Sequence, residues 1–309
     1  MQFNYNNISL QQITPPWLPA EIQAWVLRLD LLHPEVSGNK WFKLKHNLDA
    51  AIRQGKQRLV TFGGAYSNHI AATAAACHLA GFPCTGIIRG EQAAELSHTL
   101  KGAAAKGMEL VFISREAYRN KANTDWEALY PEAYIVPEGG NNALGAKGCE
   151  EILPLAVEAL KNTPLKQSAG VDKSGISDPD TFTHIACAVG TGTTLAGIIN
   201  SAAPGQTVLG YVVLKGATYL EGEIQALLHP QPLPHWELLH MHHGGGYAKV
   251  SPELKAFIAA SNEDMHLPLD IVYTGKLLMG FRTDVQAGRY PYGSNVLLIH
   301  TGGLQGNAI

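Results

Sequence analysis

Seven short apolar runs punctuate the chain: RLVTF (58–62), CTGIIR (84–89), ELVFIS (109–114), AYIVP (133–137), HIACAV (184–189), TVLGYVV (207–213) and NVLLIH (295–300). Each reads as a strand. Between most of them lie helix-like segments at 68–80, 93–106, 115–129, 144–161, 192–202, 219–228 and 252–261. Earlier in the chain, Trp41, Leu44 and Leu48 fall at i, i+3 and i+7, the buried stripe of a helix over 39–49. Strands alternating with helices of this length imply βαβ units and mostly parallel sheets. The predicted class is α/β, with the strands split between two sheets and a ligand cleft between two lobes. One segment breaks the rhythm. NTPLKQSAGVDKSGISDPDT (162–181) has few large apolar residues and reads as an exposed loop or flexible connector.

Composition narrows the classes. A chain of 309 residues with 46% hydrophobic and 16% charged residues is an ordinary globular protein, long enough for two lobes. A net charge of −3 argues against nucleic acid or an anionic membrane as the main partner. The four cysteines, Cys77, Cys84, Cys149 and Cys187, lack CxxC or paired spacing, which favours structural thiols over a disulfide framework. The first residues show no basic start followed by an apolar run, and no stretch reaches the ~18 apolar residues of a membrane span. A soluble, cytoplasmic protein is expected.

Chemistry concentrates in the glycine-rich turns. GGAYSNH (63–69) follows one strand and opens an alanine-rich helix. Ser67 or Asn68 can cap that helix, and its free N–H groups suit a carboxylate or phosphate, so a plain capped turn and an anion site are both open. In AVGTGTTLAG (188–197), Gly190 and Gly192 alternate with Thr191, Thr193 and Thr194. Backbone amides and hydroxyls without a lysine suit a phosphate cradle for a bound cofactor, a structural turn being the alternative, whereas phosphoryl transfer would call for a Walker loop. The stretch is not GxGxxG either, since Leu195 stands where the third glycine would fall. HWELLHMHHGGGY (235–247) is rich in histidine but lacks metal-ligand spacing, so no metal site is expected. Its triple glycine frees the chain to place Tyr247. YTGKLLMGF (273–281) gives Tyr273 before a helix start, and HTGGLQG (300–306) sets Thr301 at the end of a strand, where α/β proteins bind ligands.

SGNKWFKL (37–44) holds the most pointed feature. Lys40, Lys43 and Asn47 share a stripe beside the apolar one. Two neighbouring ammonium groups at an apolar edge disfavour each other's charge, and desolvation acts in the same direction. On this segment alone the pair reads first as two solvated surface lysines, whereas beside the glycine-rich turns a lysine with a lowered pKa becomes a usable nucleophile toward an aldehyde.

In order, SGNKWFKL, GGAYSNH, PEGGNNALGAKG (137–148), GTGTT, GGGY, YTGK and HTGG resemble the 1-aminocyclopropane-1-carboxylate deaminase / D-cysteine desulfhydrase family, over about residues 30–306. These are pyridoxal-phosphate enzymes of the tryptophan-synthase-β-like fold. The resemblance implies two open, twisted, mostly parallel sheets flanked by helices. It also implies a large cofactor-binding domain (1–49 and 145–309), a small α/β domain (50–144) and a homodimer. It makes Lys40 the cofactor-binding lysine, Ser67 a catalytic serine and Asn68 the partner of the pyridoxal 3-hydroxyl. Gly190, Thr191, Gly192, Thr193 and Thr194 would hold the phosphate. Tyr247 and Tyr273 match the family's active-site tyrosines, Lys43 its second lysine, and Ser67, Asn68 and His69 would receive the substrate's carboxylate.

Two positions divide the family. Ring-opening deaminases carry a glutamate after the second tyrosine and a leucine in the final H-x-G-G; this chain has Thr274 and Thr301, as the desulfhydrases do. A carboxylate keeps the pyridine nitrogen protonated, whereas a threonine hydroxyl hydrogen-bonds an unprotonated one. The expectation is therefore D-cysteine desulfhydrase-like elimination, with ring opening and a catalytically silent ligand-binding homologue as alternatives. One departure stands out: the family's charged segment before the GNK loop here reads LRLDLLHPEV, with only Arg28 and Asp30.

Overall fold

The computed structural model describes residues 3–162 and 181–308, so the polar stretch read as a connector lies, but for its end residues, outside the described residues. Five strands come first: β1 (Ser9–Ile13), β2 (Gln23–Arg28), β3 (Arg58–Gly63), β4 (Cys84–Arg89) and β5 (Glu109–Ile113). Five follow: β6 (Ala133–Val136), β7 (His184–Val189), β8 (Thr207–Val212), β9 (His235–Leu239) and β10 (Asn295–His300). They form two sheets, of order β1-β2-β10-β7-β8-β9 and β5-β4-β3-β6. Every pairing is parallel except β1 with β2. The seven apolar runs are all strands, within a residue of their expected ends.

The central strands are buried on both faces, as parallel strands covered by helices must be. In β10 all six residues are buried. Leu297 and Ile299 join the core with Trp25, Leu27 and Cys187 on one face, and Val296 and Leu298 join Val26, Leu209 and Phe281 on the other. The smaller sheet repeats this, with Leu59 and Ile88 on one side and Val60, Phe62 and Ile87 on the other. All four cysteines are buried free thiols. Among the described residues no helix is long and apolar enough to cross a membrane, and no cluster of side chains could hold a metal ion.

The chain reverses direction once in each sheet. In the small sheet it runs β3, β4, β5 outward, then returns to place β6 on the other side of β3; in the large sheet β7, β8, β9 run outward before β10 returns beside β7. Such switch points open a crevice at the carboxyl ends of the strands. GGAYSNH follows β3, GTGTT follows β7 and HTGG follows β10, so the glycine-rich turns border both crevices.

Several elements depart from the pattern. The helix expected over 39–49 runs on to Arg53, as α1 (Asn39–Arg53), and α2 (Asn68–Leu79) matches its prediction. The segment 93–106 becomes helical only at His98, where Ser97 caps it. The segment 115–129 splits into short pieces capped separately by Ser114 and Asp125. Residues 144–161 form two helices, Ala143–Cys149 and Ile152–Lys161. In the first, Gly148 lies so close to the Phe42 carbonyl of α1 that a Cβ would clash. β1, β2 and β9 lie outside the seven runs. β1 is a polar edge strand (SLQQI), the place where an apolar signature is least needed.

The two charges before the GNK loop carry structural weight. Arg28 and Asp30 form a bidentate pair (2.9 and 2.7 Å), buried on both sides. Arg28 also donates to Gln11 Oε1 of β1 (2.8 Å), and His300 Nδ1 of β10 lies 3.2 Å from Asp30. Ser37 donates to the Asp30 carbonyl (3.3 Å), so this network holds the entry to α1. Breaking a buried pair from one side leaves the other charge uncompensated. Asp30→Asn is expected to cost about 3–5 kcal/mol, read as a lower urea midpoint at unchanged slope.

Candidate functional site

The site begins with a glycine that cannot be replaced. Gly38 precedes α1 at φ 66°, and a Cβ there would overlap the Thr301 carbonyl. The Asn39 N–H donates to that same carbonyl (3.3 Å), so the start of α1 is pressed against the end of β10. Asn39 Nδ2 then donates to Thr194 Oγ1 (2.8 Å), and Lys40 Nζ donates to Asn39 Oδ1 (2.6 Å). One asparagine thereby joins the lysine to the turn after β7.

That turn has the form of an anion cradle. Gly192, at φ 82°, caps the helix Thr193–Ser201, and the first N–H groups of a helix have no intrahelical partner. The hydroxyls of Thr191 and Thr193 meet at 3.1 Å, and Lys43 Nζ donates to Thr191 Oγ1 (3.4 Å). At Gly190 a Cβ would stand 3.1 Å from the Tyr273 ring, so the loop and the tyrosine close on one space. The cradle does have a lysine, supplied by α1 instead of by the loop's own sequence.

Lys40 is half-buried, at the edge of a cavity of about 430 Å³ lined also by Ser37, Asn68, Ala72 and Gly303. Its pKa is lowered from 10.5 to about 7, by burial first and by the neighbouring Lys43 charge second, with Asp270 opposing both. Lys43 is only 5% exposed, and burial lowers its pKa too. Burial lowers both lysines and the Lys43 charge acts on Lys40, but among the causes at Lys43 there is no reciprocal action of Lys40, so the expected mutual suppression is seen in one direction only.

Ser67 caps α2, accepting the Ile70 N–H (3.3 Å) and keeping its own proton free to donate. The N–H groups of Asn68 and His69 in the first helical turn remain open to an anion. Asn68 accepts from Gln305 Nε2 (2.8 Å), which leaves its own amide N–H groups facing Gly303. His69 is 3% exposed and bonds through Nε2 to Thr61 Oγ1 (2.8 Å). Thr61 spends its one proton on the Val136 carbonyl, so Nε2 must donate and Nδ1 is a bare acceptor, buried without a partner. Burial and the two lysines push the His69 pKa down to about 3, so the ring stays neutral. Its side chain cannot donate to a carboxylate; its backbone N–H can.

On the opposite wall Tyr273 lies with its ring centre 5.9 Å from Lys40 Nζ, and Tyr247 packs edge-on against it at 6.3 Å. Burial raises both phenol pKa values, so both are neutral donors. The two threonines that divide the family part company. Thr274 is 2% exposed and donates to Asp270 Oδ1 (2.7 Å) while accepting the Asp270 N–H, so its proton is already committed. Thr301, whose carbonyl touches Asn39, has no side-chain hydrogen bond among the described residues and keeps its hydroxyl available. Asn39 and Asp270 were missed in the sequence. The first stood inside the GNK motif beside a more conspicuous lysine. The second carried no signal, because its carboxylate faces backbone N–H groups of Val272, Tyr273 and Thr274.

A near-neutral amine, a helix-end cradle for a phosphate and a second anion site at α2 fit a phosphate-bearing aldehyde cofactor and an amino-acid substrate. Fold and site thus define an enzyme that uses pyridoxal phosphate. The chain belongs to the pyridoxal-phosphate dependent enzyme family, whose model matches residues 15–302. It is 29% identical to the mitochondrial bifunctional D-cysteine desulfhydrase/1-aminocyclopropane-1-carboxylate deaminase of Arabidopsis thaliana, over 94% of this chain and 75% of that protein. It is 28% identical to a D-cysteine desulfhydrase of Yersinia pestis, over 91% of this chain and 86% of that one. The crystal structure of an ACC deaminase homologue superposes with a TM-score of 0.75 at 23% identity, covering 97% of this chain and 90% of that one, and shares its fold.

The electrostatic link between the lysines is testable without the phosphate. In the cofactor-free protein, pyridoxal trapped on Lys40 by borohydride should show a pH midpoint near the amine's pKa of about 7. Lys43→Met should move that midpoint upward but leave it below the ordinary lysine value, because burial is the larger cause. Peptide mapping of the adduct gives the readout, and an unmoved midpoint would show that Lys43's charge does not act at Lys40.

Proposed function

We propose that the chain is a D-cysteine desulfhydrase-type lyase, converting D-cysteine and water to pyruvate, ammonia and hydrogen sulfide. The observation that carries the reading is the Lys40 amine, with a pKa of about 7 and joined through Asn39 to the threonine cradle after β7. Pyridoxal phosphate, when bound, supplies the electron sink that makes a substrate's Cα–H acidic. Thr191, Thr193, Thr194 and the amides from Gly190 to Thr194 would hold the phosphate, with Lys43 adding charge, and Asn68 and Thr301 would supply hydrogen bonds to the ring. Lys40 both anchors the cofactor and, as a free amine near neutral pH, takes the Cα proton.

The substrate's carboxylate sits at the start of α2, held by the Ser67 hydroxyl and the backbone N–H groups of Asn68 and His69. Tyr273, beside Lys40, would flank the ring, and Tyr247, packed on Tyr273, would close the space next to it. Threonine at 274 and 301, the pair the desulfhydrase resemblance carries, supports elimination over ring opening; with the Thr274 hydroxyl committed to Asp270, the Thr301 hydroxyl would be the one to serve an unprotonated ring nitrogen. Four buried free thiols suit a reducing cytoplasm. A homodimer is the assembly that the resemblance implies, and a sedimentation mass of about 66 kDa, twice the 33.2 kDa of the chain, is expected; a monomer's mass would remove that part of the reading.

The decisive experiment compares wild type with Lys40→Ala. The variant should lose the yellow colour of the bound cofactor, and pyruvate release from D-cysteine should fall about 10³-fold or more. Retention of both would sink the assignment. A parallel assay of wild type with D-cysteine, L-cysteine, D-serine and 1-aminocyclopropane-1-carboxylate should favour D-cysteine. Turnover of the cyclopropane alone would replace elimination with ring opening.

A further inference from the structure

A second buried lysine stands close to the site without belonging to it. Lys276 lies in the first turn of the helix Thr274–Gln286, three residues after Tyr273, and is 3% exposed. Burying an ammonium is expensive unless it is used. Its Nζ donates to the Gly246 carbonyl at 2.6 Å, and Gly244 lies against its aliphatic stem. Gly244, Gly245 and Gly246 all have positive φ, at 58°, 91° and 122°, a backbone with little conformational preference of its own. The loop's internal bonds are few: the N–H groups of Gly245 and Gly246 reach back to His243, and Lys249 N–H reaches Gly246. Lys276 adds a charge-assisted bond from outside the loop, one residue before Tyr247. Tyr247 in turn packs on Tyr273, which faces Lys40.

The geometry points to Lys276 as a positioning residue that latches the triglycine loop, and so fixes Tyr247 over the substrate's place. A glycine-rich loop without this bond would sample many conformations, and Tyr247 would meet Tyr273 only part of the time. The latch lies close to the chemistry: Lys276 shares its helix start with Tyr273, and the Asp270 charge opposes the cost of burying its ammonium. The role of Tyr247 toward substrate rests on the proposed function, but the latch itself does not.

Hydrogen–deuterium exchange on the holoenzyme separates the two. Lys276→Met should accelerate exchange about tenfold or more in peptides covering 243–249, as expected for losing a hydrogen bond to a charged group, with the rest of the molecule unchanged. The cofactor absorbance should stay as in wild type. The KM for D-cysteine should rise about tenfold while kcat changes less than about threefold, and Lys276→Arg should restore part of both effects. Unchanged exchange over 243–249 would overturn the latch, as would acceleration spread over the whole chain. If Lys276→Met yields no folded protein, Lys276→Gln gives the same reading: faster exchange confined to 243–249 sustains the latch, and wild-type exchange overturns it. Failure of the proposed function would appear elsewhere, in a Lys40→Ala variant that keeps its colour and turnover.

Discussion

Placing two lysines within one turn of a buried helix is the constraint around which the site is arranged. Lys40 and Lys43 stand near the amino end of α1, where the helix dipole already disfavours positive charge. Asp270 could pair with Lys40, but its carboxylate is occupied by three backbone N–H groups and the Thr274 hydroxyl. Desolvation therefore prevails, and the Lys40 amine rests near neutrality. The linkage has a definite sign. Between about pH 7 and 10.5 the unfolded chain carries a proton on Lys40 that the folded chain lacks, so the cofactor-free fold gains stability from this group as pH rises through that window. Below it, the full cost of holding the amine in the interior is borne. The fold stores that cost at the residue where a reactive amine is needed.

The topology explains why such a cost can be carried. Two sheets each reverse direction once, and the glycine-rich turns lie at those reversals. Gly38 against Thr301 and Gly148 against Phe42 are close approaches that any side chain would prevent, and Gly190 leaves only a tight 3.1 Å gap to the Tyr273 ring for one. They fix the start of α1 between the ends of β7 and β10, while Arg28, Asp30 and His300 fasten β2 to β10 behind it. A rigid surround of this kind keeps Lys40 from turning out to water and recovering its charge.

Much of this was legible in the sequence, and the illegible part has a common cause. Most of the parallel strands announce themselves because burial on both faces demands unbroken apolar runs, the exception being the buried strand β2, whose AWVL lies outside the seven runs. The glycine-rich turns announce themselves because their backbone conformations exclude other residues. β1 and β9 were missed because an edge strand needs no such run. The tie between Asn39 and Thr194 spans 155 positions and that between Lys276 and Gly246 spans 30, so no local pattern marks them. His69 shows a subtler limit. Its place in the SNH motif suggested a donor to carboxylate, yet its tautomer is set by Thr61 and Val136, which belong to two other strands.

The contrast between threonine and glutamate after the second tyrosine also takes on a different meaning. Read from the motif alone, residue 274 speaks to the cofactor's ring nitrogen. In the fold its hydroxyl lies 2.7 Å from Asp270 in a closed pocket, and Asp270 in turn organises the backbone under Tyr273. A glutamate there would bring a second carboxylate against the first, and two such groups cannot both remain ionised at that distance without water. One of them would have to take up a proton or turn away, toward the space beside Tyr273. The substitution that separates the two branches of the family would thus act on Asp270 and the placement of Tyr273 as much as on the ring. That leaves Thr301, at the end of β10, as the residue of the pair whose hydroxyl has no hydrogen bond among the described residues and is open to a ligand.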